Sequence, residues 1–543
     1  MIRPDLRQWA RPALAAGVLY LLLALPDKPG GLGDLFAQVP LEWPVLILAL
    51  VLWPPQWRGR SAIAGILTGV ILVLLLLKGA DIAMLSSLNR RFSPVVDMFL
   101  IEAGLNVLSG SIGMPLTVVA VIASVIAFAA IGLILYRALM CLLRIDLAPH
   151  FRPWMGGGLV AALALMTADF GPTLRLWQGA VDPPGAVSNI RTVRAQLERS
   201  VTVLRDLRAF RLAAAQDPYA DRTGLFDAVD GRDVIVIFIE SYGRSSFDNL
   251  LYSETHVPTL RNAEVALSDA GYAMQSGWLN SPTAGGQSWL AHGTLASGLR
   301  TSDQGRYGAM LASGRQSLFH LAQTSGFRTA AVMPAITLAW PEGLTMGFDT
   351  ILAAADLNYA GAPFNWITMP DQYTLSAFDA LLPPDPRPDF LQIALISSHA
   401  PWVPVPEMID WEDVGDGTAF DRWATSGDPP SVVWRDRDRV RDQYRQAIDY
   451  TLQAAMSYAA RRADQPLFII LGDHQPAGFV AGIDSRDVAV HLIGPPDLVA
   501  LASDWNWRDG LVPGADTPVW PMEVFRDRFI RAFTTAAADR EAM

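Results

Sequence analysis

The sequence predicts a multi-span α-helical membrane domain followed by a C-terminal α/β sandwich domain. Three observations carry this. Half of the 543 residues are hydrophobic, yet uncharged apolar runs crowd the first 175. Residues 1–175 hold 13 basic and 9 acidic side chains, whereas the remainder holds 29 and 44. From Asp233 onward, short β-branched runs alternate with helical stretches, the pattern of a layered α/β domain.

Pro115 to Tyr136 has no charged residue and is long enough to cross the hydrocarbon core of a bilayer. Ser61 to Leu77 is nearly as clear. Pro12 to Pro26 and Trp43 to Trp57 are shorter, with polar and aromatic flanks suited to the interfaces. Trp154 to Ala168 is a fifth candidate, interrupted by Asp169. Each short run alone reads equally as a buried core helix, but five in succession are not how a soluble core is built. Phe92 to Gly113 carries Asp97 and Glu102 and reads as an external loop or interfacial helix.

Basic residues set the expected orientation. Arg3, Arg7, Arg11, Arg58, Arg60, Arg137, Arg144 and Arg152 fall on one side of the five runs; Lys28, Lys78, Arg90 and Arg91 fall on the other. The richer side is cytoplasmic, so an odd number of spans exports everything after about residue 175. An uncleaved first span is favoured over a signal peptide because Asp27-Lys28-Pro29 is a poor cleavage site. An acidic exported domain argues against nucleic acid as a partner. The one cysteine, Cys141, leaves the exported part without a disulfide, and about 300 residues are enough for a core without one. The expected organisation is residues 1–175 as the transmembrane domain, 176–230 as a helical linker and 231–543 as the catalytic domain.

In the linker, Val193, Leu197, Val201, Leu204 and Leu207 recur every three or four residues over 188–216, with arginines between them. Packing of that face on the catalytic domain is the expectation, and lying on the outer membrane surface is the alternative. Beyond it, Val234 to Ile239 is a continuous apolar run, as in a strand covered on both faces of a parallel sheet. Thr329 to Met333, Phe390 to Ile396, Leu467 to Leu471 and Val488 to Ile493 read likewise, and Val440 to Arg462 reads as helix. Ligands of such sheets bind beyond the carboxyl ends of strands, so the residues that follow each strand matter most.

The first strand runs into Glu240-Ser241-Tyr242-Gly243, and a late strand into Gly472-Asp473-His474-Gln475. A strand-end carboxylate by itself often caps the next helix. Glu240 with Asp473 and His474, however, offers two carboxylates and an imidazole to one borderline cation. The third piece is Thr283-Ala284-Gly285-Gly286-Gln287-Ser288-Trp289. Two glycines permit a tight turn, and Ser288 falls at the expected N-cap of a helix, where backbone N–H groups favour a phosphate or a deprotonated hydroxyl. An ordinary capping serine is the plain reading of Ser288 taken alone. A bare serine is a poor nucleophile at neutral pH, and a divalent cation would activate it.

Together these elements resemble the alkaline phosphatase/sulfatase superfamily, and within it the membrane-bound branch of lipoteichoic acid synthases, periplasmic glucan phosphoglycerol transferases and phosphoethanolamine transferases. The resemblance implies an alkaline-phosphatase-like sandwich domain with one divalent metal ion, Mn²⁺ ahead of Mg²⁺ or Zn²⁺. Glu240, Ser288, Asp473 and His474 would hold it, with Ser288 the nucleophile. Thr283 is the rival hydroxyl and otherwise a substrate-side residue. Trp340, Asp371 and His399, the last within Ser397-Ser398-His399-Ala400-Pro401, fall where the family contacts substrate. Met333 and Glu342 stand where the synthases carry histidine and arginine, which weakens a glycerol-phosphate headgroup. His292 and His491 read as structural histidines.

The function so implied is transfer of a phospho-headgroup, phosphoglycerol-like, from a membrane phospholipid to a periplasmic glycan or lipid through a phospho-serine. The alternatives are a phosphoethanolamine transferase, or a membrane-anchored phosphatase or sulfatase-like hydrolase. The implied location is the bacterial inner membrane, with the catalytic domain in the periplasm. A true sulfatase is disfavoured: Ser288 is followed by Trp289-Leu290-Ala291-His292, without the small residue and arginine that formylglycine formation requires. A non-enzymatic scaffold is disfavoured by the presence of Glu240, Ser288, Asp473 and His474 together, and failure to bind metal would revive it.

Overall fold

The computed structural model describes residues 6–30, 39–54, 56–173, 176, 185–220, 222–365 and 367–535. Arg3 and most of the 174–184 stretch, named in the readings above, lie outside these. The chain divides into two compact units, Met1–Ser86 with Arg90–Arg205, and Ser87–Asn89 with Asp206–Met543. The division falls inside the helix Ser188–Ala214, not at residues 175 and 230.

The first unit is helical: Leu6–Ala24, Glu42–Leu52, Arg60–Leu88, Leu100–Ile112, Met114–Leu143 and Arg152–Phe170. Arg60–Leu88 and Met114–Leu143 are long and apolar enough to cross a membrane. Glu42–Leu52 is not: 11 residues rise roughly 16 Å against a hydrocarbon core of about 30 Å. The run expected over Trp43 to Trp57 is thus a short apolar helix. Leu19, Leu50, Ile71, Leu135 and Leu139 form the unit's core, and the Trp43 indole N–H donates to the Ala16 carbonyl (2.8 Å). Phe92 to Gly113 contains a helix, Leu100–Ile112, which ends at Gly113 with φ 83°. In the helix from Ser188, Leu197 is 62% exposed and Val193, Val201 and Leu204 are exposed too.

In the second unit, nine strands form one sheet among the described residues. They are β1 Val234–Ile239, β2 Ala273–Asn280, β3 Arg328–Met333, β4 Thr350–Ala353, β5 Asp389–Leu395, β6 Leu467–Gly472, β7 Asp487–Gly494, β8 Arg508–Asp509 and β9 Val519–Pro521. The order is β4-β3-β5-β1-β6-β7-β2-β8, with β9 also on β2. From β4 to β6 all neighbours are parallel. β7 runs antiparallel to both β6 and β2, so the sheet is mixed rather than parallel throughout. β1 explains the layering. Ile235, Ile237 and Ile239 enter one core, Val234, Val236 and Phe238 the other, and all six are buried. The period-two alternation sends successive side chains to opposite faces, and helices such as Leu250–Asp269 and Arg437–Ala460 cover the sheet.

Candidate active site

β1, β6 and β5 are parallel neighbours, and β2 shares their direction because two antiparallel steps through β7 restore it. Glu240, Asp473-His474, the 281–288 turn and Ser397-Ser398-His399 therefore leave the sheet at one edge, its carboxyl end. Gly472 is required just before Asp473, because a Cβ there would lie 1.8 Å from the Tyr242 carbonyl oxygen.

The turn into Ser288 uses three successive positive φ angles: Gly285 (74°), Gly286 (142°) and Gln287 (68°). The Gly286 value lies outside what an L side chain adopts readily. Ser241, directly after Glu240, has φ 61°. Non-glycine residues held in the left-handed region on both sides of the site mark locally imposed backbone strain, of order 1 kcal/mol each. The helix Ser288–Ser297 begins at Ser288 itself, with Gln287 as the N-cap. Ser288 is thus the first helical residue and not the cap, and its hydroxyl is used elsewhere.

That hydroxyl donates to Glu240 Oε2 at 2.7 Å and lies 3.2 Å from His474 Nε2. Glu240 Oε1 accepts from the Ser241 hydroxyl (2.9 Å) and is 3.3 Å from His474 Nε2. Asp473 Oδ1 accepts the backbone N–H groups of Ser241 (2.8 Å) and His474 (2.6 Å), and Oδ2 lies 3.9 Å from His474 Nε2. One ligand atom each from Glu240, Asp473 and His474 fall within 4.8 Å of one another. Ser288 is partly exposed above this nearly buried cluster.

The donor set fits a divalent cation. His474 Nδ1 faces the Gln475 carbonyl at 2.8 Å, so Nδ1 carries the proton and the Nε2 lone pair faces the carboxylates. Burial opposes every charge in the cluster, and protonation alone resolves the conflict awkwardly. Burial and the neighbouring Glu240 push Asp473 up to about 8. Against its own desolvation, His474 is pulled up to about 9 by Asp473 and Glu240. Glu240, also opposed by burial, is held well below the ordinary carboxylate range, first by His474 and then in part by His399. Two buried carboxylates that need a shared positive charge are a ready cation site.

Of the substrate-side expectations, His399 is exposed and lies near enough to Glu240 to stabilise its charge. Asp371 is corrected. It is fully buried, with Oδ1 accepting from the N–H groups of Ile396 (2.7 Å) and Ser397 (2.9 Å) and Oδ2 from the Thr451 hydroxyl (2.7 Å). Both oxygens are buried and engaged within the protein, where they hold the strand-end turn before His399. Thr283 is corrected likewise: its hydroxyl donates to the Gly286 carbonyl (2.7 Å) and closes the glycine turn. Trp340 packs on Phe348, ring centroids 6.1 Å apart, and makes no hydrogen bond or ring contact to the Glu240 cluster among the described residues. Met333 and Glu342 are likewise outside it; the Met333 sulfur accepts from Gln392 (3.7 Å). His491 is satisfied by Tyr242 and Ser276, and buried His292 stacks on Phe238.

Sequence reasoning missed Ser241, Ser398 and Gln475. The Ser398 hydroxyl donates to the Glu240 carbonyl (2.6 Å), and the Gln475 carbonyl fixes His474. Ser241 and Gln475 were signalled only by adjacency to the residues they touch, and Ser398 only by preceding His399.

Residues 232–487 match the family model described as Sulfatase. No curated protein matches the chain by sequence. Several solved structures are similar. The lipooligosaccharide phosphoethanolamine transferase A from Neisseria meningitidis is 14% identical, covering 96% of this chain and 95% of its own, with a TM-score of 0.48. The lipoteichoic acid synthase LtaP from Listeria monocytogenes is 13% identical over 59% and 76%, TM-score 0.35. The phosphoglycerol transferase GacH from Streptococcus pyogenes, solved with sn-glycerol-1-phosphate, is 12% identical over 61% and 91%, TM-score 0.34.

Proposed function

We propose that the protein is a metal-dependent phosphotransferase that moves a phospho-headgroup from a membrane phospholipid to a glycan or lipid acceptor through phospho-Ser288. The observation that carries this is the Ser288 hydroxyl, 2.7 Å from Glu240 and 3.2 Å from His474, at the mouth of a three-ligand cluster. Glu240, Asp473, His474 and Ser288 would hold one divalent cation, Mn²⁺ ahead of Mg²⁺ or Zn²⁺, which when bound lowers the hydroxyl pKa and offsets charge on the phosphoryl oxygens. The first helical residue also sits where backbone N–H groups face an anion.

The chain's own part is positioning and proton handling. Glu240 accepts the Ser288 proton, and the oxygen attacks phosphorus as the lipid's diacylglycerol oxygen leaves. His399, exposed at the same edge, is placed to give that oxygen a proton and then to take one from the acceptor hydroxyl. The acceptor oxygen attacks phospho-Ser288, and the departing serine oxygen takes back the proton held by Glu240. Two helices long enough to cross a membrane support a lipid donor, and a bacterial inner-membrane location with an exported catalytic domain accompanies that reading. The headgroup is phosphoglycerol-like, with phosphoethanolamine the alternative; water in place of the acceptor gives the hydrolase.

Intact-mass spectrometry of the full chain incubated with mixed phospholipids and Mn²⁺ tests this. A headgroup-sized gain on wild type and Thr283→Ala, missing from Ser288→Ala, is expected, and its mass names the donor. A gain that disappears only in Thr283→Ala moves the nucleophile. No adduct with any lipid or metal removes the transferase reading.

A further inference from the structure

A cavity of about 860 Å³ lies within the first unit where two apolar runs end. Leu25 closes the run of the first helix, and Lys78 is the first charged residue after Ser61–Leu77. The Lys78 ammonium is 3% exposed and donates to the carbonyls of Leu23 (3.1 Å) and Leu25 (2.6 Å). This spends two of its three donors and fixes both run ends at one level. Lys28, Arg91, Arg191 and Arg199 also line the cavity, with Asp27.

These cations are only partly neutralised. Arg91 bridges Asp27 and Asp81 at 2.9 Å each, and Arg191 pairs with Asp169 at 3.0 Å. Arg199 stands 3.7 Å from Asp81, and its Nε is buried without a hydrogen-bond partner. Glu42 spends Oε1 on the N–H groups of Asn189 and Ile190. Five cations against four carboxylates leave one positive charge in excess. A single negative charge with several acceptor oxygens, held where apolar helices end, completes such a site.

We propose that this cavity binds the phosphodiester of an anionic membrane glycerophospholipid, with the acyl chains running along the apolar helices. The proposal rests on reading the first unit as membrane-embedded, and it adds a lipid site built from residues other than those around Ser288. Arg199 offers its guanidinium on the cavity wall, Lys78 its third N–H, and Lys28, exposed at the rim, supplies long-range attraction. Planar guanidinium groups suit the diester oxygens.

Native mass spectrometry of the full-length protein in detergent tests it, with phosphatidylglycerol, phosphatidylethanolamine or inorganic phosphate added. Wild type and Ser288→Ala should each retain one phosphatidylglycerol in preference to the other two. Arg199→Gln and Lys28→Glu should each retain about tenfold less, the size expected of a lost charge-assisted contact. Arg199 is part of a packed ion-pair network, so the exposed Lys28→Glu keeps the test independent of folding. Undiminished retention in Lys28→Glu and Arg199→Gln overturns the proposal, as does retention lost only in Ser288→Ala. Inorganic phosphate or phosphatidylethanolamine held as firmly as phosphatidylglycerol overturns the anionic-lipid assignment. Loss of headgroup transfer with lipid retention intact sinks the Ser288 reading alone.

Discussion

Asp371→Ala separates a substrate contact from a buried anchor. In the structure its carboxylate takes two backbone N–H donors and one hydroxyl, and its own N–H donates to the Ser397 hydroxyl at 2.8 Å. Alanine leaves the donors of Ile396, Ser397 and Thr451 buried without partners. An unsatisfied buried donor costs about 1–3 kcal/mol, and Thr451 is free to rotate its hydroxyl, so the two backbone groups set a total of roughly 3–5 kcal/mol. For a domain of this size that lowers the unfolding temperature by on the order of 5–10 °C. Asp371→Asn keeps an oxygen for the two N–H groups and should lose only about 1 kcal/mol. The assay is thermal unfolding followed by tryptophan fluorescence, together with hydrogen exchange at residues 396–399, where the alanine variant should lose protection. Burial, set against these hydrogen bonds, raises the Asp371 pKa. Folding stability from this group is therefore largest below the ordinary aspartate value and declines as pH rises toward the folded value, a slope that Asp371→Asn abolishes. An alanine variant with unchanged unfolding temperature and protection, but a raised KM, would refute the anchor and restore the substrate contact.

Other outcomes follow from the same geometry. Ser288→Ala should lower kcat by at least about 10³-fold while binding Mn²⁺ nearly as well in isothermal titration, since three ligands remain; Thr283→Ala, losing one hydrogen bond within the turn, should cost about 1 kcal/mol of stability and leave measurable activity. Chelation should abolish transfer and lower the unfolding temperature, because a cation at 100 times its Kd stabilises the folded state by about 2.7 kcal/mol; an unfolding temperature indifferent to Mn²⁺ would contradict a resident ion. Burial pushes His256 down to about 4 and His491 down to about 3. Between those values and about 6.5 the unfolded chain binds more protons, so stability is full above pH 6.5 and falls as pH drops, by roughly 2–3 kcal/mol for the pair at pH 5.5. Denaturant titrations at pH 7.0 and 5.5 check this, and His256→Gln should remove about half of the difference.

The legible parts of this fold were those where local sequence and tertiary environment agree. β1 and β6 are continuous apolar runs, and β5 nearly one apart from Asp389 and Gln392, because both faces of the sheet are covered, so pattern alone marks them. β2 was missed: Ala273–Asn280 contains Gln275, Ser276, Gly277 and Asn280, and its polar groups are satisfied by partners distant in sequence, such as Val499 and His491. Short β4, β8 and β9 exist only through pairing. At the site, Glu240, Asp473, His474 and Ser288 were visible because strand-end and turn chemistry sit in contiguous motifs. Asp371 was misread because a carboxylate at the start of the helix Asp371–Leu381 looks the same in sequence whether it faces substrate or spends both oxygens on the protein.

The missed strand is also the one on which the site depends. Glu240 and Asp473 leave β1 and β6, adjacent parallel strands whose carboxyl ends meet by pairing alone. Ser288 arrives from β2, two strands beyond β6, and were β2 joined directly to β6 in antiparallel fashion the glycine turn would emerge at the opposite edge. The intervening β7 reverses direction twice, and the hydrogen bond from the Ser281 hydroxyl to the Asp473 carbonyl (2.6 Å) ties the β2 exit to the β6 exit. The three positive φ angles then turn the chain through the remaining distance, so that the hydroxyl meets Glu240 at 2.7 Å. The strain stored at Gln287 and Ser241 is thus the local cost of bringing the Ser288 hydroxyl and the Glu240, Asp473 and His474 side chains from separate strands to one point, and relaxing either residue would move Ser288 away from Glu240.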